Sequence, residues 1–316
     1  MRGRFLPVLL LSVSALACHP CDPVGDLRVG GDSPYVRCAE LPPPAAGSRS
    51  VGGVSFQVDG RELRFAPSPQ HVAFLRGPAP HASDLAVGLT ALVGQGADVL
   101  FVLGGVGDDE AAAERTLRAL AATERPCFVL GGGRDEAATL SQAFEALGDD
   151  AKGVVDARGL RVVHMGTTSL MLLSGAPEGR YARTDDACGF GSDDLDALGD
   201  SVPDTGPRYL ISWASPASDL ALGFDGVQAG EPSLTEFIAG AHLLGSVSAW
   251  PAFRAGAVMS GQGGQLSALA GALGAPHARS ADGAVLPDHP LMLQLGSAGL
   301  SRRTLSPTDA AEPAGH

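Results

Sequence analysis

The sequence predicts an α/β fold, and three observations predict it. Short apolar runs of strand length recur along the chain, Gly-rich turns follow them, and Ala- and Leu-rich stretches of helical length separate them. The chain has 316 residues, 45% of them hydrophobic and 18% charged, which is enough apolar material for a large core and too little charge for a disordered polyelectrolyte. A formal net charge of −13 repels nucleic-acid phosphates, so nucleic acid is set aside as a partner.

The N-terminus reads as an export signal over residues 1–17. Arg2 and Arg4 form a basic start, Phe5 to Ala17 is apolar but too short to span a bilayer, and Ala15-Leu16-Ala17 presents small residues where a signal peptidase cleaves. Cys18 follows directly, as in a bacterial lipobox, although Leu16 lies one residue too close to it. Lipidation at Cys18 and a membrane anchor in the cell envelope are the expectation. Ordinary cleavage after Ala17, giving a periplasmic or secreted protein, is the alternative. With Cys18 lipidated, Cys21, Cys38, Cys127 and Cys188 remain, an even number for an oxidising compartment. Cys21 and Cys38 flank a polar loop and are the expected disulfide pair, while Cys127 reads as a buried thiol. Residues 18–50 form the attachment segment, ending in a Pro-rich spacer over 39–50.

Residues 51–300 read as one domain. Val54 to Phe65 alternates around Asp59-Gly60 and predicts a hairpin. Strands are expected at Val72–Leu75, Val99–Leu103 and Cys127–Leu130, with helices at Leu85–Val93 and Glu110–Ala122 between them. The second half is richer in strands: Leu160–His164 with Ser169–Ser174, then Tyr209–Ser212, His242–Gly245 and Leu291–Leu295. Asp185, Asp186, Asp193, Asp194 and Asp196 read as a solvated loop. Residues 301–316 are polar, contain two prolines and are expected to be disordered.

Five turns after strands carry the functional argument, because α/β proteins place their chemistry there. Val72-Ala73-Phe74-Leu75 runs into Arg76-Gly77-Pro78. Val102-Leu103 enters Gly104-Gly105-Val106-Gly107-Asp108. Pro126 and the apolar run to Gly131 lead into Gly132-Gly133-Arg134-Asp135. Leu210-Ile211-Ser212 enters Trp213-Ala214-Ser215-Pro216, and His242-Leu243-Leu244 enters Gly245-Ser246-Val247-Ser248. In order and local fit these turns resemble the five motif blocks of the calcineurin-like metallophosphoesterases: Asp-x-His, Gly-Asp-x-x-Asp, Gly-Asn-His-Asp, a lone His before Pro, and Gly-His-x-His. The resemblance runs from Val72 to Leu295. It implies a four-layer α-β-β-α sandwich of the metallophosphoesterase type, with two metals at the strand ends clamping a phosphoester.

Measured against that pattern, the metal ligands are gone. Arg76-Gly77-Pro78 replaces the first block, Gly105 stands for the Asp of the second, and Gly133 and Arg134 replace Asn and the catalytic His. Trp213 replaces the lone His, and Ser246 and Ser248 replace the last pair. Asp108 and Asp135 survive at positions that in the family orient ligands. A hard or borderline cation needs several converging oxygen or imidazole donors, and these side chains do not supply them, so no catalytic residue, metal or other cofactor is expected. Arg76 and Arg134 are expected to pair with Asp108 or Asp135, with an anion pocket as the alternative. Trp213 is expected to fill the vacated space.

Three functions stay open. The first is a non-catalytic envelope scaffold that binds an unknown envelope protein. The second is a two-metal phosphoesterase with ligands elsewhere. The third is a small-anion or phosphate-ester binder using Arg76 and Arg134.

Overall fold

The computed structural model describes residues 36–77, 85–148, 152–177, 187–223, 226–251, 256–260, 262–272 and 290–303. The signal segment, Cys18, Cys21, Asp185, Asp186 and the end of the chain after Arg303 lie outside them. In chain order the elements begin β1 (Val36–Arg37), β2 (Gly47–Val51), β3 (Val54–Asp59), β4 (Glu62–Phe65), β5 (His71–Leu75), α1 (Leu85–Gly94), β6 (Val99–Leu103), α2 (Glu110–Ala121), β7 (Cys127–Leu130) and α3 (Ala137–Leu147). There follow β8 (Val154–Asp156), β9 (Val162–Met165), β10 (Thr168–Leu173), β11 (Ala176–Pro177), β12 (Cys188–Phe190), α4 (Ser192–Gly199), β13 (Arg208–Ser212) and α5 (Pro232–Gly240). The last are β14 (Gly245–Ser248), β15 (Val258–Ser260), β16 (Leu266–Leu269), β17 (Leu291–Gly296) and β18 (Gly299–Arg302).

Two large sheets form from these strands. One has the order β18-β17-β5-β6-β7-β8 and the other β15-β16-β14-β13-β10-β9-β4-β3-β2. In the first, β5 to β8 run parallel, each joined to the next through a helix. Such strands are buried on both faces and therefore read as unbroken apolar runs. Side-chain alternation divides their work. Leu75, Leu100, Val102 and Val129 pack against α1, α2 and α3. Phe74, Phe101 and Phe128 sit opposite one another in register on the other face and stack with centroids 5.3 and 5.2 Å apart.

That aromatic ladder joins the sheets. Phe128 meets Phe56 of β3 at 5.6 Å and Phe65 of β4 at 5.8 Å, edge to face, so the hairpin around Gly60 faces β7. Each buried Phe contributes about 1.5–3 kcal/mol by the area it removes from water. Every residue of β10 is buried, which requires cover on both faces, and Leu195, Leu198 and Leu234 of α4 and α5 belong to the same core.

The structure corrects several sequence expectations. Part of the expected spacer belongs to a sheet: Gly47–Val51 is the edge strand β2, paired with β3, and Arg61 donates to the carbonyls of Leu41 and Gly159. Cys38 pairs with Cys188 rather than Cys21. The reason is topological, because β1 runs parallel to β12 with Val36 opposite Cys188, a neighbour 150 residues away that local spacing does not show. Asp193, Asp194 and Asp196 lie in α4 rather than a loop, and Asp194 is buried, accepting from Arg37 and from the Gly191 N–H. At the other end, Ser301 and Arg302 belong to β18, held by Tyr209, whose hydroxyl donates to Gly264 O and accepts from Leu300 N.

Candidate functional site: the turns at the strand ends

The turns after β5, β6, β7 and β10 meet through their backbones. Gly77 N donates to Gly104 O at 2.7 Å, Gly104 N to Leu130 O at 3.1 Å, and Gly175 N to Gly131 O at 2.8 Å. Close approach of this kind needs glycine. Gly104 and Gly105 adopt φ of +73° and +74°, a region that side chains strain.

Asp135 organises the centre. It is 3% exposed, and its two carboxylate oxygens accept three backbone N–H groups: Gly105 and Gly132 on Oδ2 at 2.7 Å each, and Val106 on Oδ1 at 2.8 Å. Burial pushes the carboxyl above the ordinary aspartate range, opposed by those three donors and by the Arg158 guanidinium. The expected pairing of Asp135 with Arg76 or Arg134 is thus replaced by backbone capture. Arg134 and Asp108 are exposed, and Arg76 is half-buried, its N–H donating to Gly271 O. The cap of α2 is Asp109, which accepts from Ala112 N.

Trp213, at the end of β13, is 4% exposed. Its indole lies directly on two of the turns: a Cβ at Gly132 would stand 2.5 Å from Trp213 Cδ1, and one at Gly104 2.7 Å from the same atom. Behind it the Trp250 ring is parallel, 5.6 Å away and 7° from coplanar. The backbone fixes this pair, since Ala249 N and Trp250 N both donate to Trp213 O.

The fifth block falls differently from expectation. The strand expected over His242–Gly245 begins at Gly245 instead, so Ser246 and Ser248 lie inside β14, both buried. They pair opposite Leu210, Ser267 and Leu269, which holds them within the sheet rather than in a turn beyond it. The residue that β14 delivers to the strand end is Trp250, which sequence reading missed. A signal existed, because the chain has two tryptophans and each stands one or two residues after a strand. Arg158 was also missed. Fully buried, it donates to Asp156, Ala137 O and Ser141 and ties the end of β8 to α3. Gly133 is buried in the turn before Arg134.

Among the described residues, no three His, Cys, Asp or Glu side chains converge as a metal centre requires. Among the described residues of these turns the buried carboxylate is Asp135, which already accepts three backbone donors. Such an arrangement fixes the turns against one another and offers them an indole cover.

Solved structures are similar to the chain at low identity. One crystal structure is matched over 100% of its chain and 75% of this one, at 11% identity and a TM-score of 0.50. TT1561 of Thermus thermophilus is matched over 98% of its chain and 74% of this one, at 12% identity and a TM-score of 0.49. The phosphopantetheinyl hydrolase PptH from Mycobacterium tuberculosis is matched over 89% of its chain and 64% of this one, at 12% identity and a TM-score of 0.41. At 11% identity the first of these is a likeness of fold alone. No family model matches the chain, and no curated protein does.

Proposed function

We propose that this chain is an exported envelope protein, anchored by lipid at Cys18, whose metallophosphoesterase-type domain is a four-layer α-β-β-α sandwich retained as a non-catalytic scaffold or binding module. The observation that carries the reading is the seat of Trp213 on Gly104 and Gly132. The two turns that in the resembled family surround the metals here press against an indole. The N–H groups of Gly105, Val106 and Gly132 are spent on Asp135. That last feature also counts against a small-anion pocket built from Arg76, Arg134 and the same turns. The Cys38–Cys188 disulfide supports export, since such bonds persist in oxidising compartments.

Two measurements test the reading. The chain lacking its signal segment is incubated with manganese, iron and zinc, desalted and assayed by elemental mass spectrometry and for phosphodiester hydrolysis. Metal below a tenth of an equivalent and no hydrolysis above buffer are expected, whereas two equivalents with turnover would overturn the scaffold reading. Mass spectrometry of the membrane fraction from cells expressing the full chain is expected to find diacylglycerol on Cys18, and an unmodified N-terminus at Cys18 would overturn the anchor.

A further inference from the structure

Strands β4, β9, β10 and β13 lie side by side in the larger sheet. Leu63 and Phe65 of β4 belong to the core between the sheets, so by alternation Glu62 and Arg64 face outward. From Arg64 one polar row crosses four strands: Arg64 stands opposite His164, His164 opposite Ser169, and Ser169 opposite Arg208. The side chains are joined. Ser169 Oγ lies 3.2 Å from His164 Nδ1, and His164 Nε2 lies 3.2 Å from Glu62 Oε2. The same Glu62 oxygen accepts from Arg64 at 2.6 Å. Arg208 donates to Pro203 O and His242 O, while its Nε is buried without an acceptor. Ser169 is 4% exposed, Glu62, His164 and Arg208 are half-buried, and Arg64 is exposed. The hydroxyl is thus sheltered, and the row beside it opens to solvent.

The partners fix the imidazole tautomer. Glu62, ion-paired with Arg64, can only accept, so Nε2 carries the ring hydrogen. Nδ1 then keeps a lone pair, and the Ser169 hydroxyl donates to it. Nucleophile, general base and orienting carboxylate stand in the relation that activates a serine. On the far side of Ser169 from His164, the unpaired Nε–H of Arg208 is a donor for negative charge developing beside the hydroxyl. We propose that Ser169 is an acyl-transfer nucleophile and that this row hydrolyses small activated carboxylic esters. Ser169 Oγ bonds to the carbonyl carbon while His164 Nδ1 takes the hydroxyl proton. The ester C–O bond breaks, and the departing alcohol takes that proton from Nδ1. Water, deprotonated by the same nitrogen, then releases the acid and restores the serine. Glu62 is a positioning residue, acting through His164. Ser169 and Arg208 stand at the start of β10 and β13, whereas Trp213 follows the end of β13, so the site is separate from the strand-end turns and does not depend on their being silent.

The test uses the chain lacking its signal segment, in EDTA so that metal-dependent hydrolysis does not contribute. A fluorophosphonate probe is expected to label Ser169, located by peptide mass spectrometry, and p-nitrophenyl acetate is expected to turn over after a burst of about one p-nitrophenolate per chain. Ser169→Ala should abolish both. His164→Gln should slow labelling about a hundredfold, and Glu62→Gln should lower kcat about tenfold or more at unchanged KM. Circular dichroism checks that each variant is folded, and the label on the parent chain is read without any variant. No label on the parent chain, a label on another serine, or equal labelling rates in the parent and the folded His164→Gln chain would each overturn the proposal.

Discussion

A single oxygen of Asp135, Oδ2, accepts the backbone N–H groups of both Gly132 and Gly105, each at 2.7 Å. Gly132 follows β7 and Gly105 follows β6, so one carboxylate oxygen staples the turns of two neighbouring strands. Successive N–H groups in such turns form a concave seat for an anion, and here the anion belongs to the chain itself. The turns are therefore fixed from below by Asp135 and covered from above by Trp213.

Removing the staple has a large expected cost. Asp135→Ala leaves three buried N–H groups without acceptors and is expected to destabilise the fold by about 3 kcal/mol or more. Asp135→Asn keeps one carbonyl acceptor but turns an amide nitrogen toward other donors, and about 1–3 kcal/mol is expected. Urea unfolding followed by circular dichroism measures both. A loss under half a kilocalorie for the alanine variant would show that the turns hold without it.

The contact between Trp213 and Gly132 is testable as a pair. Gly132→Ala alone drives a methyl group into Trp213 and is expected to cost about 1–3 kcal/mol by overpacking. Trp213→Ala alone opens a cavity and is expected to cost about 3–5 kcal/mol. In the double variant the clash has no partner, so the combined loss should fall short of the sum by about 1 kcal/mol or more. Strict additivity in denaturant unfolding would mean that the indole does not rest on this turn.

Much of this architecture was legible because local periodicity fixes it. The runs Val99–Leu103 and Cys127–Leu130 are strands to the residue, since central parallel strands must be apolar throughout. The hairpin around Gly60 was legible from its alternation and its turn. Long-range pairing was not. Nothing near Cys38 in sequence points to Cys188, and their meeting follows from the parallel placement of β1 beside β12. The placement of β14 was missed because His242-Leu243-Leu244 is as apolar as a strand, yet His242 adopts φ of +52° and closes α5. That slip of about one strand length hid Trp250, and with it half of the indole stack over the turns.

Peptide mapping without reduction is expected to recover Cys38 linked to Cys188, with Cys21 in neither peptide. Replacing Cys38 and Cys188 by Ser frees a loop spanning a sequence separation of 150 residues, and a stability loss of about 2–5 kcal/mol is expected. The same variant should release β1 from β12, so the bond after Arg37 becomes a site of limited proteolysis. Recovery of a Cys21–Cys38 peptide would overturn the assignment.

Cys127 gives the pH-dependent prediction. Its thiol is fully buried on the first residue of β7, and burial pushes its pKa from 9.0 up to about 12, opposed by the Thr123 hydroxyl. A buried neutral thiol is a poor nucleophile because the reactive species is the thiolate. Iodoacetamide at pH 8.5 should leave Cys127 unmodified in the folded chain and alkylate it fully in guanidinium chloride. The folded value lies above the unfolded one, so the stability tied to the neutral thiol is whole below pH 9 and is lost as pH rises toward 12. Cys127→Ala lacks the titrating group, so its stability measured from pH 8.5 to 10.5 should decline less steeply than that of the parent chain. Parallel declines would show that Cys127 is not the group responsible, and rapid native-state alkylation would show that β7 opens at its first residue.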